Sequence, residues 1–320
     1  MKRSAGLDLV RVVGVVAIVA GHSLRGWTYP WLFTWHVPVF FVLSGYLWHD
    51  QRTWREELHR RANSLLLPYA TWLVFNCLVW FGVLAIQGQA APRDAWWRVL
   101  AGGAYLGYPP NAFWFVTSLF VAALVMRAAW NVRPALAWLV GLAGVTWATL
   151  APNQVRAVPE AAGIALAGVG FMCLGLGLRQ ASEWLRHALP TALATCLAGL
   201  AGLAGLLAGG FGLVRNVDMK QGELGTPVAS FLVAAVISAG LIVVCQSLEG
   251  LFPAWLARMI SRLAQAALPV VLTHCLVLWC FFRVGQPTDS GLALSLALVI
   301  PFGLGLALTT LPGPARRLFV

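Results

Sequence analysis

The sequence predicts an all-α polytopic membrane protein of about ten transmembrane helices, on three observations. Of its 320 residues, 60% are hydrophobic and only 10% charged, with 16 Trp and a mean hydropathy of +0.78. Apolar runs long enough to cross about 30 Å of hydrocarbon recur from end to end, parted by short charged or Pro/Gly-rich breaks. No hydrophilic stretch is long enough to fold as a separate soluble domain, so residues 1–320 read as one membrane domain.

The first span, 7–24, lies between Arg3 and Arg25 and is longer than a signal h-region, so it reads as retained. The second, 33–49, follows an aromatic loop from Trp27 to Trp35 and stops at Asp50. Span 65–86 follows the charged stretch 51–63. Spans 112–129 and 134–150 are parted by Arg133-Pro134, and 160–178 ends at Arg179. Span 188–209 carries Gly199, Gly202, Gly205 and Gly209, whose expected role is close helix packing. Spans 227–247, 266–284 and 291–311 complete the set.

With the N-terminus inside, 14 basic residues fall on inner loops: Lys2, Arg3, Arg52, Arg55, Arg60, Arg61, Arg127, Arg133, Arg179, Arg186, Arg258, Arg262, Arg316 and Arg317. Seven, including Lys220, fall on outer loops. That bias places both termini in the cytoplasm. The net charge of +11 then implies attraction to anionic lipid headgroups; no nucleic-acid motif accompanies it. The six cysteines (Cys77, Cys173, Cys196, Cys245, Cys275, Cys280) lie within predicted spans without a C-x-x-C pair and read as buried, inert thiols.

Within the first span stand Arg11 and His22. Eleven residues at about 100° each return to within roughly 20° of the starting direction, so the two share a face, with Asp8, Val15 and Ile18 on the same stripe. Their heads are roughly 16 Å apart along the axis. Ionisable groups in a membrane helix face a protein interior or a wet cavity, so one cavity lined by both and open to both sides is expected. Asp8 should lie within reach of Arg11 or another cation; the i, i+3 pair also has a purely structural reading as mutual neutralisation.

His36 opens the second span at the depth where His22 closes the first, which suggests a base and its hydrogen-bonding partner; a helix cap or headgroup contact is the plainer alternative. Pro38 suits a first helical turn, and Ser44-Gly45 permits close helix contact. In the stretch 51–63, Arg60 and Arg61 are the best phosphate ligands, yet Glu56–Arg60 and Glu57–Arg61 at i, i+4 also describe a solvated interfacial helix. His274 lies mid-span and should line the central cavity. No metal motif and no phosphate-cradling glycine loop is present.

Arg11 with His22 eleven residues later, followed by His36-Val37-Pro38-Val39-Phe40-Phe41-Val42-Leu43-Ser44-Gly45-Tyr46-Leu47, resembles the acyltransferase-3 family of integral membrane acyltransferases. Its sugar O-acetylating branch, typified by fucose 4-O-acetylase-like proteins, is the closer likeness. Asn111 to Phe120 is similar to the family's W-F-hydrophobic-x-x-L-F signature. Arg60-Arg61 before Leu65-Leu66-Leu67-Pro68-Tyr69 resembles its basic turn into L-hydrophobic-P-Y, and Leu272-Thr273-His274 resembles a late family histidine.

The resemblance implies acetyl or other acyl transfer from cytoplasmic acyl-CoA to a sugar hydroxyl of an envelope glycan, polymeric or lipid-linked, in the bacterial inner membrane. Acyl-CoA enters as a substrate, and no tightly bound cofactor is implied; self-association is left open. A thioester is already activated, so the protein must position the acceptor, remove its proton and stabilise an oxyanion. His22 is the expected base, His36 its orienting partner, and Arg11 a cation for CoA or for Asp8. Trp114 is a stacking platform on the family match and an interfacial anchor without it. A secondary transporter or glycan flippase is the rival reading, although no second copy of the Arg11–His22 pattern marks a repeat. A non-catalytic assembly partner is the third.

Overall fold

The computed structural model describes residues 3–319, the side chains at 185 and 186 excepted. Lys2 and the Arg186 side chain, counted above among the inner cations, lie outside the described residues. The α-helices are α1 (Ala5–Ser23), α2 (Arg25–Leu32), α3 (Pro38–Tyr46), α4 (Trp54–Arg61), α5 (Leu67–Ile86), α6 (Ala95–Ala101), α7 (Trp114–Val132) and α8 (Pro134–Leu150). They continue as α9 (Pro152–Ala157), α10 (Ala162–Ala188), α11 (Thr191–Gly210), α12 (Ala229–Leu248), α13 (Ala254–Gln265), α14 (Ala267–Arg283), α15 (Gly291–Leu308) and α16 (Gly313–Arg316). No strand occurs among the described residues, and the chain is an all-helical polytopic membrane protein.

Seven helices among the described residues are long and apolar enough to cross a membrane, and α13 with α14, bent by 58°, makes an eighth. The expected ten included 134–150, which is the shorter helix α8, and 33–49, which is not one helix. Only Pro38–Tyr46 of that second run is α-helical, about 14 Å of rise against about 30 Å of hydrocarbon. The run is mostly apolar, but Thr34 to Val37 form a turn before Pro38, where the missing proline N–H costs nothing.

The chain from 51 to 86 also departs from expectation. The interfacial helix and the following span are continuous from Trp54 to Ile86, joined by a π-helical turn at Ala62–Leu66. Across the molecule, α13 packs on α1, and α10 crosses α3. That second crossing is backbone-close: a Cβ on Gly45 would overlap the Met172 carbonyl. In the glycine-rich α11, Gly202 lies against Gly240 of α12, which is the packing role expected of it.

The helices divide into an inner and an outer set. In α10, 72% of the spanning stretch is buried and in α1 61%, against 17% in α11. The outer set presents Leu, Val and Trp outward, as a lipid-facing shell must. Cys173, Cys245 and Cys275 are buried, but Cys196 is exposed and Cys77 and Cys280 are half-buried. The expectation of uniform thiol burial is corrected to that extent.

Candidate active site

Ser4 caps α1, its hydroxyl accepting from the Leu7 N–H at 3.2 Å, and the Glu249 carboxylate accepts from the Ser4 hydroxyl and the Ala5 N–H. One turn on, Asp8 is fully buried. Its carboxylate accepts from Arg3 Nε at 2.5 Å, Arg11 Nη1 at 2.5 Å and the Ser261 hydroxyl at 2.8 Å. Arg11 thus has the acidic partner expected of it, and its side chain remains one-third exposed in the wall of a cavity of about 600 Å³.

That cavity is basic. Arg3, Arg11, Arg52, Arg60, Arg61 and His49 line it, with Phe40, Leu119 and Val271 among its apolar walls. Thr53 and Glu56 form a capping box that starts α4, so Glu56 serves the helix end rather than the expected pair with Arg60. Glu57 takes that role. Fully buried, it accepts from Arg60 Nη2 at 2.6 Å and Arg61 Nε at 2.7 Å, with Arg52 at 3.4 Å. Arg61 then donates to the Ser44 hydroxyl at 2.8 Å, so Ser44 sits in the cavity wall as that guanidinium's acceptor.

Two further arginines hold the adjoining turn. Arg127 donates to the Asp50 and His49 carbonyls and stacks 4.0 Å over Trp48; Arg179 donates to the Trp48 carbonyl. Arg127 was assigned to an inner loop by its charge. It lies within α7 and is fully buried, because the carbonyls of the turn after α3 supply its acceptors.

At the other end of the α1 stripe is His22. The sequence suggested His36 as its partner, but the imidazole in contact is His274 of α14, its Nε2 3.1 Å from His22 Nδ1. The tautomers follow from the acceptors. His274 Nδ1–H donates to the Val270 carbonyl at 3.0 Å, which leaves Nε2 with a lone pair. His22 Nδ1 faces that lone pair and the Ile18 carbonyl at 3.0 Å, so it carries the proton. The basic nitrogen of His22 is therefore Nε2, and among the described residues nothing hydrogen-bonds to it. His36 Nδ1–H is likewise spent on the Leu32 carbonyl at 2.8 Å, and its ring packs on Phe33.

His22, His274 and Cys275 bring their donor atoms within 4.8 Å of one another, a spacing a metal ion can use. A metal at His22 Nδ1 would need a bare lone pair there, aimed at the Ile18 carbonyl 3.0 Å away. The trio fits a hydrogen-bonded chain better, with the Cys275 thiol 3.2 Å from His274 Nε2.

His22 and His36 line a second cavity of about 150 Å³ with Trp114, Asn111, Tyr108 and the segment Val217–Gln221. Trp114 is buried in its wall, whereas His274 stands behind His22. The single cavity expected for Arg11 and His22 is thus two. Phe115 and Val271 belong to both walls, and Phe40 packs edge-on to Phe115 at 5.3 Å. A third cavity of about 320 Å³, between Trp279, Phe282 and Thr288, also reaches His22 and Tyr108.

Sequence reasoning missed Lys220 and Asp218 as site-forming groups, and named Glu57 only as the helical partner of Arg61. Val217, Met219 and Leu224 are buried although they belong to the connection between α11 and α12, and that apolar alternation around Asp218 and Lys220 was the available signal that the segment folds inward. The segment lies outside the spans. Burial pulls the Lys220 ammonium down to about 8 and raises the Asp218 carboxyl above its usual range, partly offset for Lys220 by Asp218 itself.

Compared with known families, residues 4–312 match the family model described as an acyltransferase domain, nearly the whole chain. No curated protein and no solved structure matches the chain.

Proposed function

The chain belongs to the acyltransferase-3 family and is a membrane acyltransferase; on that premise we propose that it transfers an acetyl or related acyl group from acyl-CoA to a sugar hydroxyl of an envelope glycan at the bacterial inner membrane. The observation that carries this reading is the setting of His22 Nδ1 against the Ile18 carbonyl and His274 Nε2, which assigns the proton there and leaves Nε2, without a hydrogen-bond partner among the described residues, as the base.

The two cavities divide the substrates. The 600 Å³ basic cavity takes the CoA end of the donor, its phosphates against Arg60, Arg61 and Arg11. With both termini cytoplasmic, this cavity faces the CoA pool. The thioester reaches His22 past Phe115 and Val271. The sugar enters the 150 Å³ cavity, with Trp114 as its apolar platform and Asn111 and Asp218 as hydrogen-bonding groups. His22 Nε2 takes the hydroxyl proton as the sugar oxygen attacks the thioester carbonyl. The C–S bond then breaks, and the thiolate takes a proton from the imidazolium. No tightly bound cofactor enters these steps.

The test is purified full-length protein in lipid nanodiscs, given labelled acetyl-CoA and an envelope glycan fraction. Label should appear in the glycan with wild type and not with His22→Ala. A wild-type protein that binds acetyl-CoA but leaves the glycan unlabelled would refute the reading for this donor and acceptor class.

A further inference from the structure

The connection between α11 and α12 carries a lysine where a soluble loop would not hold one. Val217, Met219 and Leu224 are almost fully buried and anchor the segment. Asp218 pairs with Glu223 across the bridge, and Met219–Gln221 makes one helical turn. Lys220 is aimed inward from that turn. Its ammonium donates to the Leu106 carbonyl at 2.5 Å and to the Asn111 side-chain oxygen. Among the described residues no carboxylate lies within salt-bridge distance of it. An ammonium in a small site, hydrogen-bonded only by neutral acceptors and with Asp218 acting on it from beyond ion-pair distance, lacks the direct ion pair that buried charges ordinarily have. It has three N–H donors and two acceptors, so one donor is left over. The cavity it lines is the one His22 lines, about 150 Å³, small enough for one reacting centre to touch both.

We propose that Lys220 is a catalytic residue of the acyl transfer, its remaining N–H stabilising the oxyanion of the tetrahedral intermediate opposite His22. This rests on the acyl-transfer reading above. As the sugar oxygen bonds to the thioester carbon, the carbonyl π pair moves onto its oxygen, and the sugar proton goes to His22 Nε2. Lys220 donates a hydrogen bond to that O⁻ without giving up its proton. The pair then returns, expelling the thiolate, which takes the proton back from His22. The charge therefore acts only where negative charge develops, which is the condition for raising rate rather than affinity.

A structural clamp between the Leu106–Asn111 stretch and the 217–221 turn would explain the same contacts, so the test must separate the two. Lys220 interacts with Asp218 on its own segment, Arg156 of α9 and Cys275 of α14, and shares its cavity with Arg25 of α2, Tyr108, His22 and His36. With its proton held only to about pH 8, transfer should decline above that value in wild type. Lys220→Met keeps the length without the charge, and Lys220→Arg keeps the charge at all accessible pH. Both are assayed with labelled acetyl-CoA and the envelope glycan fraction. The expected result for Lys220→Met is a kcat lowered about 10²–10³-fold with an acetyl-CoA KM near the parental value. Lys220→Arg should recover part of kcat and lose the decline above pH 8. Lys220→Met with parental kcat, or Lys220→Arg with the decline unchanged, overturns the proposal while wild-type transfer upholds the reading beneath it. Wild type that transfers no label removes both.

Discussion

The two ends of the α1 stripe solve opposite problems. At the basic end each buried carboxylate gathers several guanidiniums: Asp8 holds Arg3 and Arg11, and Glu57 holds Arg60 and Arg61 with Arg52 nearby. The cavity there is wide, and the arginines keep donors to spare for a polyanion. At the histidine end the hydrogen bonds run mostly to neutral acceptors: two backbone carbonyls fix two imidazoles, and one ammonium rests on a carbonyl and an amide, with Arg25 and Asp218 the other charged groups in the cavity wall. The cavity is about a quarter as large. A wide, arginine-rich site suits holding a ligand, whereas a small one whose imidazoles are fixed by backbone carbonyls suits proton transfer.

The comparison breaks most easily at Glu57. Glu57→Gln leaves the buried Arg61 against a neutral amide, and an uncompensated buried charge costs about 3–5 kcal/mol, while the more exposed Arg60 and Arg52 lose little. Thermal unfolding in detergent should show the largest loss of any single substitution at the basic end. A melting profile unchanged from wild type would mean that the arginines are solvated and Glu57 is no hub.

At the histidine end, His274→Ala removes the acceptor that helps to hold the proton on His22 Nδ1. Transfer should fall about 10²-fold, the low end of what a general base is worth, with the acetyl-CoA KM unchanged. A mutant that instead raises KM would move His274 to donor binding. His36→Ala should have the smallest effect, a decrease of about 10-fold or less. Its ring reaches Phe33 and the Leu32 carbonyl but not His22. A loss as large as that of His274→Ala would restore His36 as the principal partner.

What was legible in the sequence follows the range of the interactions. The α1 stripe is a matter of helical period, so Asp8 against Arg11, and Arg11 and His22 on one face, could be read directly. The Glu57–Arg61 pair is likewise local, and so was Pro38 in a first turn. The His22–His274 contact joins residues 252 apart and has no periodic trace. Hydropathy did not divide 33–49, because the turn is only a few residues long and its polar members, Thr34 and His36, are averaged out over a membrane-length window by the apolar residues around them. Counting charges by loop placed Arg127 outside its helix and could not show that Lys220 turns inward from its connection, for one reason: both rest on acceptors that the fold supplies from distant chain.

The central claim is a division of labour between the two ends, with the base at one and donor binding at the other. The direct measurement is steady-state transfer of labelled acetyl from acetyl-CoA by His22→Ala and Arg60→Ala side by side. The account predicts a kcat lowered about 10²–10⁴-fold for His22→Ala with donor KM nearly unchanged. For Arg60→Ala it predicts a KM raised about 10-fold or more with kcat nearly unchanged, the loss of one charge-assisted contact to phosphate. His22→Ala transferring at the parental kcat, or the two variants showing the same split, would contradict it.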